Sequence, residues 1–501
     1  MITFVVCLLA LVLGYVLYGK FIEHIMEPDK NKKTPCYTMQ DGIDYTPMPT
    51  WKVYLIQFLN IAGTGPIFGT IQGILFGPAA YFWIVLGCIF GGATHDYMAG
   101  MISIKRNGAS LPEIIGSELG VVARQSQRVL ALLLMILVVI VFVKSPAGLL
   151  NGMTGDIGTI DGTLFWIVVV FAYYFIAAIL PINKIIGKIY PVFGIALIFM
   201  AVCVFFGIFF HDSSVMPEIT DAFSNHHPKQ LPLFPGMCIT IACGAVSGFH
   251  ATQSPMMARC MKNEKLGRKV FYGAMITEGF IAMIWAAAAI QFAGGLTVLP
   301  DGTPLAGDTP YEKILNLMTL NGTADQNPAI VVKAICNSWL GSFGAIIAIL
   351  GVIFAPITTG DTALRCARLI MADTFKVKQN KILNRLIICL PIFAICVVGL
   401  ILFNDFGVLW RYFAWFNQTF SIFTFFALSV YLAKSGKPYI VTLIPGAFMA
   451  CVCLTYICID PSSLNLGTTL SYYIGTGCSL ALIVWFFIWK SRLPRTGKLE
   501  K

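Results

Sequence analysis

The chain has 501 residues and a net charge of +10, with 57% hydrophobic residues and only 12% charged residues. Soluble globular proteins carry about twice that charged fraction, so this composition excludes an ordinary soluble fold. The apolar residues come in blocks of about 18 to 28, each long enough to cross a hydrocarbon layer of roughly 30 Å. We therefore predict an all-α polytopic membrane protein.

Thirteen apolar segments follow one another along the chain. They cover residues 2–19, 53–75, 78–101, 127–150, 163–181, 187–210, 234–258, 266–294, 330–358, 382–403, 407–433, 437–459 and 468–489. The two longest loops on the predicted outer side, 211–233 and 295–329, are rich in turn-forming residues and predict connectors or outer lids. About thirteen transmembrane helices in a single transmembrane domain are expected.

The basic residues test this topology, because cytoplasmic loops carry an excess of Lys and Arg. With the amino terminus outside, 29 of the 34 basic residues fall in cytoplasmic regions and three fall in outer loops, namely Lys144, Lys229 and Lys313. A missed or invented span would destroy this alternation, so we predict an outside amino terminus and a cytoplasmic carboxy terminus. No basic face with interleaved aromatic residues is left, which argues against nucleic acid as a partner.

Two segments are interrupted by glycine and proline near the middle of the bilayer. Non-helical backbone is tolerated there only where protein or a water-filled cavity satisfies it, so the breaks predict a substrate site. The alternative is that small residues simply let helices pack closely. The candidate substrate residues at the two breaks are Asn60, Gly63, Thr64, Gly65, Pro66, Ser247, Gly248, His250 and Gln253.

The two interrupted segments are five spans apart and run in opposite directions, as in an inverted repeat. The halves are 53–210 and 234–433, each opening with a broken helix. An extra helix with a cytoplasmic loop precedes them at 1–52, and two extra helices with a basic tail follow at 437–501. This arrangement matches a LeuT-like plan of five plus five helices.

Ionisable groups within spans are costly and are functional candidates. Glu278 is predicted close to mid-membrane, and the neighbours His95 and Asp96 in the inner half of the third span. A proton relay is one interpretation of the His95 and Asp96 pair; a hydrogen-bonded lock between helices is the other. The fifteen cysteines include no CxxC motif, and most lie in apolar runs, where they are expected to pack as small hydrophobic residues.

A hydroxyl and carboxylate cluster follows residue 355. Its candidate coupling residues are Thr358, Thr359, Asp361 and Thr362. Such hard oxygen ligands could hold a monovalent cation (Thr358, Thr359, Asp361) or a proton at the predicted cytoplasmic end of the ninth span. The alternative is ordinary helix-end chemistry, with Asp361 paired with Arg365 four residues later.

Four blocks resemble the carbon starvation protein A (CstA) family of peptide and pyruvate transporters, a LeuT-like family of the APC superfamily. They are residues 61–66, 90–97, 103–111 and 358–368. The resemblance implies a bacterial cytoplasmic (inner) membrane carrier that takes up peptides or pyruvate when nutrients run short. Members tend to have Ala-Gly-Ala-Gly-Pro where this chain has Ala62 to Pro66 with a threonine at 64.

We expect a symporter of a small carboxylate-bearing nutrient, peptide or pyruvate, driven by a proton or sodium gradient. The half-helix amino terminus at Gly65 or Ser247 would bind the carboxylate. The expected partners are the substrate and the lipid bilayer, with H⁺ or Na⁺ as the coupling ion and no other cofactor or metal. No enzymatic activity is expected, and the sequence does not predict the oligomeric state. Alternatives are a nutrient sensor or channel without coupled transport, or a haem protein using His95 and His250.

Overall fold

A computed structural model of the chain describes residues 1–180, 186–212, 214–298, 304–319, 327–403 and 406–493. Over these residues the fold is helical, with two isolated β-bridges. The first ten helices are α1 Ile2–Leu13, α2 Gly19–Met26, α3 Pro35–Thr38, α4 Thr50–Ala62, α5 Gly65–Gly73, α6 Ala79–Leu86, α7 Ala93–Lys105, α8 Leu111–Leu119, α9 Val121–Thr154 and α10 Gly162–Ile179.

The remaining helices are α11 Ile186–Phe210, α12 Leu233–Thr240, α13 Gly248–Ala258, α14 Gly273–Gly295, α15 Pro310–Met318, α16 Pro328–Phe375, α17 Ile382–Leu402, α18 Phe406–Lys434, α19 Ile440–Ile459 and α20 Thr468–Ser491. Short π-helical turns join α1 to α2 and α6 to α7, and another leads into α14. Of the predicted cytoplasmic tail, which follows residue 489, residues 494–501 lie outside the described residues.

Ten helices in the described part of the chain are long and apolar enough to cross a membrane. The all-α, multi-pass fold class is therefore confirmed. Three of the thirteen predicted segments fall outside this set: the two broken ones, 53–75 and 234–258, and 78–101, which the structure forms as α6, a π turn and α7. The count of thirteen spans and the five-plus-five repeat stay predictions.

The predicted end of the ninth segment is wrong, and the first and fourth segments are also longer than predicted. The ninth segment was expected to end at 358, but α16 continues to Phe375, so Thr358 and Asp361 lie inside the helix. The hydroxyls of this polar stretch bond to carbonyls of the preceding turn, so they are satisfied within the helix; the Thr358 hydroxyl, for example, donates to the Ala355 carbonyl at 2.7 Å. Polar composition therefore marks a buried helix interior here, and not a helix end.

The broken helices lie at the centre of the molecule. α4 and α5 both pack against α14, and α13 packs against α4, α7 and α18. The α14 span is 89% buried, whereas the α20 span is 22% buried and lies at the periphery. A helix that is apolar on all sides is suited to such a central position.

The connection between α2 and α4 folds over the ends of two central helices. Its backbone binds the end of α13, where the Met48 amide donates to Cys260 at 3.2 Å. Its Asp44 carboxylate lies 3.2 Å from Arg365 and 2.9 Å from Arg368, both on α16. This loop, which the sequence assigns to an extra amino-terminal unit, is therefore bonded to the central helices α13 and α16.

Candidate functional site

The first break lies at Gly63 and Thr64, between α4 and α5. Gly63 has φ 46° and ψ −148°, a conformation that is strained for residues with a Cβ. A Cβ there would lie 2.9 Å from the Phe142 ring and 3.3 Å from the Thr359 hydroxyl. Both the backbone conformation and the available space therefore require glycine at the break.

The second break covers residues 241–247, between α12 and α13. Side chains of neighbouring helices bind its backbone. The Gly244 amide donates to Oε1 of Glu278 at 3.0 Å, and the Phe249 amide donates to Oδ1 of Asn417 at 2.7 Å. The unwound segment is therefore supported from α14 and α18, as non-helical backbone within a membrane requires.

The two broken helices lie side by side in opposite directions. Gln57 on α4 donates to the Ser254 hydroxyl on α13 at 3.2 Å. Farther along, a Cβ added to Gly65 would lie 2.3 Å from the Cβ of Cys243. From the first contact to the second, the residue number rises from 57 to 65 on the first broken helix and falls from 254 to 243 on the second. The two broken helices are therefore antiparallel, and their breaks face each other.

Several predicted substrate residues are wholly buried and carry polar atoms without a hydrogen-bond partner among the described residues. They are Asn60 (both amide atoms), Thr64 (hydroxyl), His250 (both ring nitrogens) and Gln253 (Oε1). Buried polar groups in native proteins normally have a partner, so these atoms are suited to contact a ligand.

Ser247 and Gly248 are placed differently. The Ser247 hydroxyl donates to Oδ1 of Asn417 at 3.0 Å. A Cβ on Gly248 would lie 2.6 Å from the carbonyl oxygen of Asn417 and 2.6 Å from the Ser421 amide. In this structure the two residues pack the second break against α18.

Asp361 is wholly buried on α16. Its Oδ2 accepts from the hydroxyls of Tyr190, at 2.8 Å, and Tyr173, at 3.4 Å. Its Oδ1 has no hydrogen-bond partner, and no Lys, Arg or His nitrogen of the described residues lies within 4.0 Å of its carboxylate. The alternative pairing with Arg365 is not formed, because Arg365 binds Asp44 and the Ala177 carbonyl.

The threonines beside Asp361 contact the first broken helix. The Thr359 hydroxyl donates to the Leu59 carbonyl at 2.9 Å, and the Thr358 hydroxyl lies 3.4 Å from the same oxygen. Among the described residues, Thr362 bonds only within α16, to the carbonyls of Thr358 and Thr359. The polar stretch of α16 thus reaches the last turn of α4, directly before the Gly63 break.

A second buried polar cluster joins α7, α13 and α14. Nδ1 of His95 lies 2.7 Å from Oδ1 of Asp96. Nδ1 of His250 lies 3.5 Å from Oε2 of Glu278 and 3.8 Å from Oδ2 of Asp96. All four side chains are wholly buried. The structure thus brings together three predicted coupling residues and one predicted substrate residue.

Sequence reasoning missed the residues that support these groups. Asn417 and its neighbour Gln418 carry a signal, since two amides in an otherwise apolar span are uncommon. Tyr190 and Asp44 carry none: tyrosines are frequent in spans, and a loop aspartate is ordinary. Their roles come from contacts more than 150 residues apart in sequence.

A cavity of about 280 Å³ lies beside α5, α12 and α18, on the side predicted to be outside. Its lining includes Gln72, Lys229, Thr240, Arg411 and Asp460. Lys229 and Arg411 are two of the five basic residues that the topology places outside the cytoplasmic regions. Because Thr240 ends α12, the cavity reaches the start of the second break.

The comparisons with known proteins agree with this picture. The family model "Carbon starvation protein CstA" matches residues 1–160 and 153–299. A Haemophilus influenzae protein described as an uncharacterized membrane protein is 42% identical over 347 residues, covering 60% of this chain and 94% of that protein.

Two transporters are more distant relatives. The Escherichia coli pyruvate/proton symporter BtsT is 29% identical over 363 residues, 59% of this chain and 49% of that protein. The Bacillus subtilis peptide transporter CstA is 28% identical over 375 residues, 63% of this chain and 62% of that protein. The chain thus matches about half to three fifths of the length of these two transporters.

Among solved structures, an Eremococcus coleocola manganese transporter, in complex with an aromatic bis-isothiourea substituted compound, aligns with a TM-score of 0.51. The alignment covers 91% of this chain and 99% of that one at 13% identity, so the likeness concerns the fold alone.

Proposed function

The chain belongs to the carbon starvation protein CstA family, and on that premise we propose that it is a proton-driven symporter for small carboxylate-bearing nutrients, with pyruvate and short peptides as the substrate classes. The names of the E. coli and B. subtilis relatives support transport of these two classes. The breaks in two facing helices support a central substrate site.

One observation carries the coupling role: Asp361 is a wholly buried carboxylate without a basic partner in the described part of the chain. A buried charge of this kind is costly unless it is neutralised, and either a proton or a cation would neutralise it. Because Thr359 bonds to Leu59 next to the first break, a change at Asp361 can reach the substrate site.

The hydrogen bonds of Tyr190 favour the proton. Its hydroxyl lies 2.8 Å from Oδ2 of Asp361 and 2.9 Å from the carbonyl of Thr358, yet it has only one proton to donate. A protonated Asp361 would donate to the tyrosine oxygen and leave Tyr190 free to donate to Thr358. His95, Asp96 and Glu278 are less suited to this role, since each belongs to an imidazole–carboxylate pair, whereas Asp361 has no basic partner among the described residues.

We assign substrate carboxylate binding to the amino terminus of α5, at Thr64 and Gly65. A helix amino terminus offers unpaired amide groups and a favourable dipole to an anion. At α13 the first-turn amide of Phe249 is already bound by Asn417. Asn60 adds free amide atoms one turn before the first break.

Uptake into proteoliposomes tests the proposal. Labelled pyruvate and a labelled dipeptide are each offered under an imposed proton gradient and, separately, under a sodium gradient. We expect accumulation of at least one substrate with the proton gradient. Accumulation with sodium alone would contradict the proton assignment, and failure of every combination would contradict coupled transport and favour a sensor.

The variant Asp361→Asn separates coupling from binding. We expect it to lose gradient-driven accumulation while still exchanging labelled for unlabelled substrate across the vesicle membrane. Asp308→Asn, an exposed carboxylate in the loop before α15, is the matched control and should accumulate substrate normally. Undiminished accumulation by Asp361→Asn would remove this residue from the coupling step.

A further inference from the structure

Three side chains of different chemistry converge beside the second break. Cys243, His250 and Glu278 each offer one ligand atom, and these atoms all lie within 4.8 Å of one another. His250 and Glu278 are wholly buried, and Cys243 is 5% exposed. Both ring nitrogens of His250 and Oε2 of Glu278 lack hydrogen-bond partners among the described residues.

A thiolate, an imidazole and a carboxylate together form a donor set typical of borderline transition metals. Zn²⁺ takes sulfur, nitrogen and oxygen ligands in tetrahedral geometry, and exchangeable sites often use three protein ligands and leave the fourth position open. Hard ions such as Mg²⁺ prefer oxygen alone. The three donors therefore favour an ion of the Zn²⁺ or Co²⁺ type.

The neighbouring groups are placed as the surroundings of a metal site require. Oε1 of Glu278 accepts from the Gly244 amide at 3.0 Å, which orients the carboxylate. Asp96 lies 3.8 Å from Nδ1 of His250, and Asn417 donates to Sγ of Cys243 at 3.9 Å. The hydrogen bonds from Gly244 and Asn417 hold the Glu278 carboxylate and the Cys243 sulfur in place, as outer contacts of metal ligands do.

We propose that Cys243, His250 and Glu278 bind a divalent transition-metal ion of the Zn²⁺ type, and that the bound ion arrests transport. The cysteine is distinct from the packing cysteines expected from sequence, because its sulfur faces an imidazole and a carboxylate. The ion would tie the unwound segment and α13 to α14, so the second broken helix could not move. Metal binding itself does not depend on the proposed transport function; only the arrest rests on it.

Cobalt binding to the purified full-length protein in detergent tests the site directly. Co²⁺ bound to a thiolate gives a near-ultraviolet charge-transfer absorption that unligated Co²⁺ lacks. We expect this band in the wild type and in Cys238→Ser, a buried cysteine of α12 outside the cluster. The band should vanish in Cys243→Ser, and Glu278→Gln should weaken cobalt binding at least tenfold.

Zn²⁺ competition completes the spectroscopic experiment, since Zn²⁺ should displace Co²⁺ and abolish the band. Absence of the band in wild-type protein, or its persistence in Cys243→Ser, would overturn the proposed site. The thermal melting of each variant is measured in parallel, so that loss of the band by unfolding is recognised. If Cys243→Ser fails to fold, the loss of cobalt affinity in His250→Gln decides the question.

Transport gives an independent readout of the arrest. Micromolar Zn²⁺ should stop gradient-driven uptake by wild-type and Cys238→Ser vesicles, and a chelator should restore it. Uptake that is insensitive to Zn²⁺ in protein that shows the cobalt band would refute the arrest. Vesicles without any uptake would instead count against the proposed symport, while the cobalt band would still decide the metal site.

Discussion

At the residue scale, two buried positions set the tolerance of the molecule to substitution. Gly63 occupies a conformation with positive φ next to Phe142, and Asp44 forms ion pairs with two arginines that are wholly buried on α16. Neither requirement concerns hydrophobic burial. Each arises where the chain departs from a regular helix, so small substitutions there should have large effects.

Gly63→Ala should destabilise the protein by about 1–3 kcal/mol, because alanine is strained at this φ and its Cβ would press on the Phe142 ring. Substrate uptake should fall as well, since the strain lies at the break. Gly148→Ala on α9 is the matched control, as its added Cβ meets nothing within 4 Å. Thermal unfolding in detergent compares the stability of the two variants. Equal melting temperatures of Gly63→Ala and Gly148→Ala would contradict the strain argument.

Asp44→Asn should cost about 3–5 kcal/mol, because it leaves buried Arg365 and Arg368 without their carboxylate. Burial raises the pKa of Asp44, but Arg368 and Arg365 outweigh it and hold that pKa below the ordinary value. A depressed carboxyl pKa stabilises the fold above the unfolded pKa of about 3.9, and this contribution is lost as the pH falls through the folded value.

The wild type should therefore lose melting temperature on acidification below about pH 4. Asp44→Asn should start lower and lose less over the same range. Asp308→Asn, in an exposed loop, should follow the wild-type curve. Parallel acid curves for the wild type and Asp44→Asn would show that the Asp44 ion pairs do not govern acid stability.

At the element scale, the glycine and proline pattern predicted where two helices break. It did not predict which side chains hydrogen-bond to the unwound backbone. The pattern around Gly63 and Gly244 is local and visible in the sequence. The partners Glu278 and Asn417 are brought to the second break by α14 and α18, and no local pattern encodes them. The early end predicted for α16 is wrong for a related reason: burial by neighbouring helices allows Thr358 and Asp361 inside a helix.

Asn417→Ala tests the support of the second break. It removes the acceptor of the Phe249 amide and of the Ser247 hydroxyl, at a cost of about 1–3 kcal/mol for the groups left buried. Hydrogen exchange at residues 244–249 should accelerate. Thr424→Val is the control, since that hydroxyl bonds only to its own helix at Phe420. Unchanged exchange in Asn417→Ala would mean that packing alone holds the break.

At the scale of the whole molecule, charge distribution and contacts agree. The amino-terminal ammonium group pairs with Glu218, and both are predicted to lie outside. Other ion pairs join residues predicted to be cytoplasmic: Glu23 with Arg268, Glu27 with Lys437 and Glu118 with Lys434. These contacts join regions far apart in sequence and do not cross the predicted membrane, so they group these loops on two sides as the topology predicts.

A reporter fused to the carboxy terminus tests that orientation. Because the positive charges concentrate on one side, green fluorescent protein fused after Lys501 should fluoresce and alkaline phosphatase there should be inactive. Phosphatase inserted in the predicted outer loop at 211–233 should be active. The reverse pattern would invert the topology without changing the helices.

The ten long apolar helices and both breaks could be predicted because they depend on local composition, and composition is read directly from the sequence. The surroundings of Asp361 could not, since Tyr173 and Tyr190 approach it from α10 and α11. The convergence of Cys243, His250 and Glu278 likewise depends on how α13 meets α14. Local signals thus predict where a site lies, and tertiary contacts decide its chemistry.

The loop that carries Asp44 also limits how this protein can be recombined with its relatives. That loop follows the first span, yet its carboxylate pairs with two arginines more than 300 positions later. A chimera that exchanges the first span and its loop would change the counter-charge of α16. Exchange of this segment should succeed only when donor and recipient supply complementary charges, so the amino-terminal helix and its loop belong structurally to the core.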